Sequence, residues 1–218
     1  MATKKKMNKN DLLALYMESV LENEHFPKSV YRFCKDNKVT EEDFYQSYAS
    51  LDSIKLSVWE AFFTNTMQLL EKNENYASFS RQDKLLTFYF TFFEVLLLNR
   101  SYILFSLEQE TSKMEKLAQL KSLRKHFKGF AKELIEEGND EKDLKVTQHP
   151  VGLFSEAAWG QLLFLLKFWL EDNSPSFEKT DALIEKSVKV AFEVFDNTRL
   201  ETLLDLGKFL WKEKMTAN

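Results

Sequence analysis

Apolar residues recur every three or four positions along most of this chain, and nowhere does a strand-like alternation run long enough to define a sheet. The spacing predicts a first helix over residues 10–24, with Leu12, Leu13, Leu15, Tyr16, Val20 and Leu21 on its apolar side and Asn10 or Asp11 as its cap. Pro27 interrupts the pattern and fits the start of a second, short helix, which buries Val30, Phe33 and Cys34. Asn37 and Lys38 make a turn. Val39 points inward, and Thr40 caps a third helix with Asp43 at the capping-box position. Phe44, Tyr45 and Tyr48 supply that helix's apolar side. Ser50 caps a long helix that runs to about residue 72, with Ile54, Val58, Trp59, Phe62, Phe63, Leu69 and Leu70 in phase.

Residues 73–80 break the periodicity and mark a boundary. Helices are expected beyond it over 81–98, 101–110, 112–137, 154–171, 177–195 and 197–214, with a polar loop at 138–148. The organisation read from the chain is a basic arm (1–9), a three-helix head (10–50), a linking helix (51–75) and a larger helical domain (76–218). Only five Gly and three Pro in 218 residues agree with an all-α fold, because a sandwich or barrel needs many more turn residues.

The stretch 29–50 has the shape of a helix-turn-helix. Ser29-Val30, Cys34-Lys35, Val39-Thr40, Phe44-Tyr45, Tyr48 and Ser50 stand where the DNA-binding motif of the TetR family of transcriptional regulators has its small, basic, turn and aromatic residues. In this segment the chain resembles that family, and the long helix that follows resembles the family's linking helix. The resemblance implies an all-α, TetR-like fold with a DNA-reading head and a C-terminal domain that binds a small ligand and dimerises. The DNA-contacting set it implies is Lys28, Ser29, Arg32, Lys38, Thr40, Glu41, Glu42, Tyr45, Gln46 and Tyr48. The implied partners are a double-stranded DNA operator, a hydrophobic small molecule or lipid, and a second copy of the chain, in the cytoplasm and with no cofactor.

Two positions depart from the family pattern. The usual Ala-Gly of the turn is Asn37-Lys38, and Lys38 meets strain if its backbone must turn left-handed. The usual Lys-Gly-Thr at the start of the recognition helix is Glu41-Glu42-Asp43. Carboxylates there repel phosphate, although acids in a first helical turn also favour the helix dipole by about 0.3–1 kcal/mol. Over residues 27–50, Lys28, Arg32, Lys35 and Lys38 only balance Asp36, Glu41, Glu42 and Asp43. The head therefore lacks the net positive charge that supplies most non-specific DNA affinity. Lys4, Lys5, Lys6 and Lys9 read either as a solubilising tail or as an arm that touches phosphates or the minor groove.

The net charge of −4 gives no global pull toward nucleic acid, so any DNA attraction has to be local. Hydrophobic content of 44% with 29% charged residues indicates a folded globular chain. Cys34 is the only cysteine, which excludes an intrachain disulfide, and no apolar segment follows the N-terminal lysines as a secretory signal would require. His25, His126 and His149 lack metal-ligand spacing, and no nucleophile elbow or phosphate loop is present, so no enzyme activity is expected.

Twenty Phe indicate an unusually aromatic interior. Phe88, Phe92, Tyr102, Phe105, Phe127, Phe130 and Trp159 are the candidate lining of an apolar ligand pocket; an ordinary aromatic core reads the same way. Residues 154–169 and 183–195 are apolar on more than one face and must be covered from several sides. Leu165, Phe168, Trp169, Leu183, Val190 and Val194 are the candidate dimer interface. The last helix carries Leu200, Leu203, Leu204, Gly207, Leu210 and Trp211 on one face, suited to docking on the body or to lying on a membrane surface. The second possibility supplies an alternative function: a TetR-like protein without DNA binding that carries a lipid or isoprenoid at the membrane, similar to ubiquinone-biosynthesis accessory proteins.

Overall fold

The computed structural model describes residues 7–110, 112–140 and 148–197. The expectations for Lys4, Lys5 and Lys6, for most of the loop after Gly138 and for the closing helix at 197–214 lie outside the described residues. Ten helices cover the described chain, and it contains no strand: α1 (Lys9–Asn23), α2 (Val30–Asp36), α3 (Glu41–Ser47), α4 (Leu51–Glu71), α5 (Arg81–Leu97), α6 (Arg100–Glu108), α7 (Lys113–Gln119), α8 (Lys121–Asp140), α9 (Val151–Glu171) and α10 (Glu178–Asn197). Two compact units divide the described residues. One takes residues up to 69 together with 91–126, and the other takes 70–90 together with residues from 127 onward.

In the first unit α1 packs on α6 and α2 on α3. Leu12, Tyr16, Val20, Phe33, Phe44, Ile54 and Trp59 are all buried there. Edge-on rings join the three short helices, Tyr16 to Phe33 at 6.0 Å and Phe33 to Phe44 at 5.9 Å. Such pairs contribute about 0.5–1.5 kcal/mol each beyond the area they bury. Helix starts follow side-chain caps. Asn8, rather than Asn10 or Asp11, caps α1 in a reciprocal box with Asp11. Ser29 caps α2, so Pro27 sits ahead of the helix and not at its first position. Thr40 caps α3, accepting from the Asp43 amide at 3.1 Å and donating to its carboxylate at 2.7 Å.

Lys38 does adopt the left-handed backbone, at φ 57°. Its Cβ meets the steric cost that glycine avoids. Lys38→Gly is therefore expected to stabilise the protein by about 0.5–1 kcal/mol, seen as a higher urea midpoint with an unchanged slope. A lower midpoint would mean that the lysine side chain compensates its own strain.

The expected helix over 112–137 is two helices, broken at Leu120. Ser112 starts α7 with a capping box to Glu115. Gln119 then turns inward and donates to the Ser106 carbonyl at 2.9 Å and to Glu110 at 2.8 Å. These tertiary bonds, invisible to periodicity, outweigh continuation of the helix. Conversely, α8 runs through Gly138, where a loop was expected, to Asp140.

The second unit is centred on stacked aromatics of α5, α8 and α9. Phe88 lies 4.8 Å from Phe130 and 5.4 Å from Phe127, and Phe127 lies 6.4 Å from Trp159. α9 begins directly after Pro150, earlier than the apolar pattern indicated, because proline at a helix start forfeits no internal hydrogen bond. It packs on α10. Asp172 organises the link between them. One carboxylate oxygen accepts from the amide and hydroxyl of Thr180 (3.0 and 2.7 Å), the other from those of Ser174 (2.8 and 2.7 Å). Burial works to raise its pKa, but the four hydrogen bonds prevail and hold the carboxyl well below the usual range.

Candidate functional site

The head presents a defined outer face. On α3, Glu41, Glu42, Tyr45 and Gln46 are exposed together while Phe44 points into the core; Thr40, Lys38, Lys28, Ser29 and Arg32 are exposed as well. The structure thus brings nine of the ten expected DNA-contacting residues to the surface. The tenth, Tyr48, is buried: its hydroxyl donates to the Lys9 carbonyl at 3.1 Å and the Lys9 ammonium sits 5.6 Å from its ring. Burial, with Glu60 nearby, pushes its phenol up to about 12. It ties α3 to the start of α1 and is not available to a partner. Tyr45, expected on the apolar side, is instead 54% exposed.

The charge of this face is mixed. Arg32 is held by Asp36 at 2.7 Å on its own helix, and Lys35 lies 5.9 Å from the ring of Tyr31. Glu41 and Glu42 stand exposed in the first turn of α3. Burial, and then Glu41 and Asp43, push the Cys34 thiol up, so this cysteine is a packed apolar residue rather than a reactive one.

The aromatic residues expected to line a ligand pocket are packed against protein instead. Phe88, Phe92 and Phe127 are fully buried, and Phe130 and Trp159 nearly so. Tyr102 packs on Tyr16 at 6.5 Å and Phe105 on Phe26 at 6.0 Å, both in the other unit. None of the seven lines the apolar cavity of the second unit, which measures about 340 Å³. Its walls are Leu85 of α5, Leu134 and Ile135 of α8, Phe154 of α9 and Val190 of α10, and the space is made by small residues: Ala131, Ala157, Ala158 and Ala191. Room lies not among the largest side chains, as expected, but where alanines face one another. The alanine pair on α9 was the available signal.

The expected interface residues divide in two. Leu165 and Trp169 are buried inside the subunit and cannot meet a second chain without opening its core. Phe168 and Leu183 are half-buried, while Val190 and Val194 are exposed at the cavity edge. The outward stripe of α9 consists of Leu153, Ala157, Gly160 and Phe164, one helical turn apart, and Phe164 is 54% exposed. Phe164 and Leu153 were not singled out from the sequence because an all-round apolar helix does not reveal which face its own core takes. By length and composition α9 is also the one described helix apolar enough to cross a membrane. Among the described residues no cluster of three His, Cys, Asp or Glu side chains is placed to hold a metal.

Residues 84–210 match the family described as tetracyclin repressor-like, C-terminal domain. The fold is similar to the solved structure of a protein assigned to the TetR family of transcriptional regulators, from Syntrophomonas wolfei str. Goettingen. That likeness has a TM-score of 0.64 at 16% identity, over 84% of this chain and 94% of that one. No curated protein sequence matches the chain. With more than half its length in the family match, the chain belongs to the tetracycline-repressor-like, or TetR, family, and its all-helical fold is that of the family.

Proposed function

We propose that this protein is a homodimeric, ligand-responsive transcriptional regulator that binds operator DNA through residues 10–50 and dimerises through residues 76–218. The observation that carries this reading is the exposed face of α3, where Tyr45 and Gln46 project outward behind a capped, left-handed turn. The ligand favours one arrangement of the C-terminal helices and so biases the spacing of the paired heads.

The test is binding to fragments of the source genome across a salt series. Specific DNA binding with a steep salt dependence is expected. Lys28→Glu together with Arg32→Glu is expected to weaken it at least about tenfold at 0.1 M salt. Unchanged affinity in that double variant would show that the head is not the reader.

The acidic start of α3 favours a second reading, in which the fold has lost DNA binding and carries a lipid. Glu41→Lys with Glu42→Lys separates the two. In a DNA reader the salt slope changes with the charge of this face; in a lipid carrier neither chain binds genomic DNA specifically, and lipid co-purifies with both.

A further inference from the structure

We propose that the groove on the outer flank of α1, between α4 and the corner where α5 meets α6, docks a basic amphipathic helix of another protein. The groove shares no residue with the exposed face of α3 or with the cavity of the second unit. The proposal therefore goes beyond the regulator reading and does not depend on it.

The groove lies wholly within the first unit and encloses about 690 Å³. On α1 it takes residues 10, 13, 14, 17, 18, 21 and 22, an unbroken stripe at helical spacing that runs for about 18 Å. Its apolar surface comes from Leu13, Met17 and Leu21 of α1, Phe62 of α4, and Leu97 and Leu98 at the corner. Leu98 is 86% exposed, and Leu21 and Leu97 are open as well. Single apolar residues on a surface are ordinary, but three open leucines along one groove mark an interaction site. Ala14 and Ala61, on facing helices, leave the groove its width. A strip of this length accepts about three turns of a helix that anchors at i, i+3, i+4 and i+7.

Charge selects the occupant. Glu18 and Glu22 stand on the rim one helical turn apart, and neither carboxylate has an ion pair or hydrogen bond among the described residues. Like charges at this spacing weaken a helix. Both acids also lie toward the C-terminal end of α1, whose last turn carries no basic residue, so they oppose the helix dipole. They cost α1 stability that no contact among the described residues offsets, and a cationic partner would offset it. Arg100 is the one cation of the lining, so the rim keeps a net negative charge. An acidic helix or an anionic bilayer is repelled by this rim. A helix with leucine-like residues on one face and lysines or arginines beside them meets both the apolar surface and the rim.

The experiment uses the full chain and a fluorescent helical peptide of about 16 leucines and lysines, with the leucines on one face, followed by polarisation at about 0.1 M salt. Binding at micromolar concentration is expected. A peptide of the same pattern with glutamate for lysine should not bind, nor should one of the same composition with its leucines spread round the helix. Glu18→Lys with Glu22→Lys should weaken the first peptide about tenfold or more. Glu41→Lys with Glu42→Lys changes the net charge equally and should alter binding less than about twofold. Ala14→Trp, which fills the groove from α1, should abolish binding. Leu21→Ser with Leu98→Ser should weaken it at least about tenfold and serves if the first variant fails to fold; all three positions are exposed. Light scattering on the double serine variant tests a second copy as the occupant. Unchanged mass is expected, and a fall in mass overturns the proposal by making the groove a contact between subunits. Equal binding of the lysine and glutamate peptides, equal weakening by the two charge reversals, or binding that survives the filled groove in a folded variant overturns it too.

Discussion

Replacing Phe164 by glutamate is expected to turn a dimer of this protein into monomers, measured as a halving of mass by light scattering at micromolar concentration. The reason lies in the outward face of α9. Phe164 is 54% exposed and Leu153 55% exposed, on one stripe with Ala157 and Gly160, whose small size lets another backbone approach. On α10, Val190 and Val194 are also left open, at 56% and 46%. In a twofold interface each residue is used twice. Burying a phenylalanine stabilises by about 1.5–3 kcal/mol, so losing two costs roughly 3–6 kcal/mol, or about 10²–10⁴ in the dissociation constant. Two facing carboxylates add repulsion. Trp169→Glu is no substitute as a test, because Trp169 is inside the subunit and its loss would unfold the chain. A Phe164→Glu protein that keeps the dimer mass would place the interface elsewhere.

Phe127→Ala should lower stability by about 3–5 kcal/mol, a large part of the roughly 5–15 kcal/mol that holds a typical domain. The ring is fully buried and touches Phe88, Phe130 and Trp159, so its removal leaves a void that these three large side chains cannot fill by small movements. For a chain of this length that corresponds to a fall in melting temperature of about 6–20 °C, readable by circular dichroism. This variant also separates a core residue from a pocket residue. A pocket residue trimmed to alanine changes ligand affinity and leaves the melting temperature nearly intact. A loss under 1 kcal/mol would mean that Phe127 borders open space.

Most helices could be drawn from the chain because helical periodicity and capping are local properties. Ser29, Thr40, Ser50 and Ser112 sit where a side-chain oxygen is needed, and all four accept a bond from the amide three residues on, at the starts of α2, α3, α4 and α7. The break at Leu120 was not local. It follows from Gln119 reaching Ser106 and Glu110, thirteen and nine residues away. Nor is the fit at Gly138 of α8 local: Arg81, more than fifty residues earlier, occupies the space that a side chain there would need.

The candidate sites divide along the same line. The outward position of Glu41, Glu42 and Gln46 was legible, because a short amphipathic helix with one inward aromatic has one possible outward face. Tyr45 and Tyr48 look alike in sequence, yet one is exposed and the other is held by Lys9, thirty-nine residues away. The cavity was barely legible, its one signal being the alanine pair of α9. Free volume is the difference between what several helices enclose and what their side chains fill, and no single helix carries that difference.

By itself, then, the sequence determined an all-helical chain, its helix-turn-helix and the acidic start of its third helix, since propensity, capping and charge act between neighbours. Tertiary structure alone decided which apolar residues are core, which are open, and where space remains. Those depend on contacts between residues far apart in the chain: Phe127 lost its place in a pocket to its own neighbours, and Ala158 gained one from the smallness of the residues opposite.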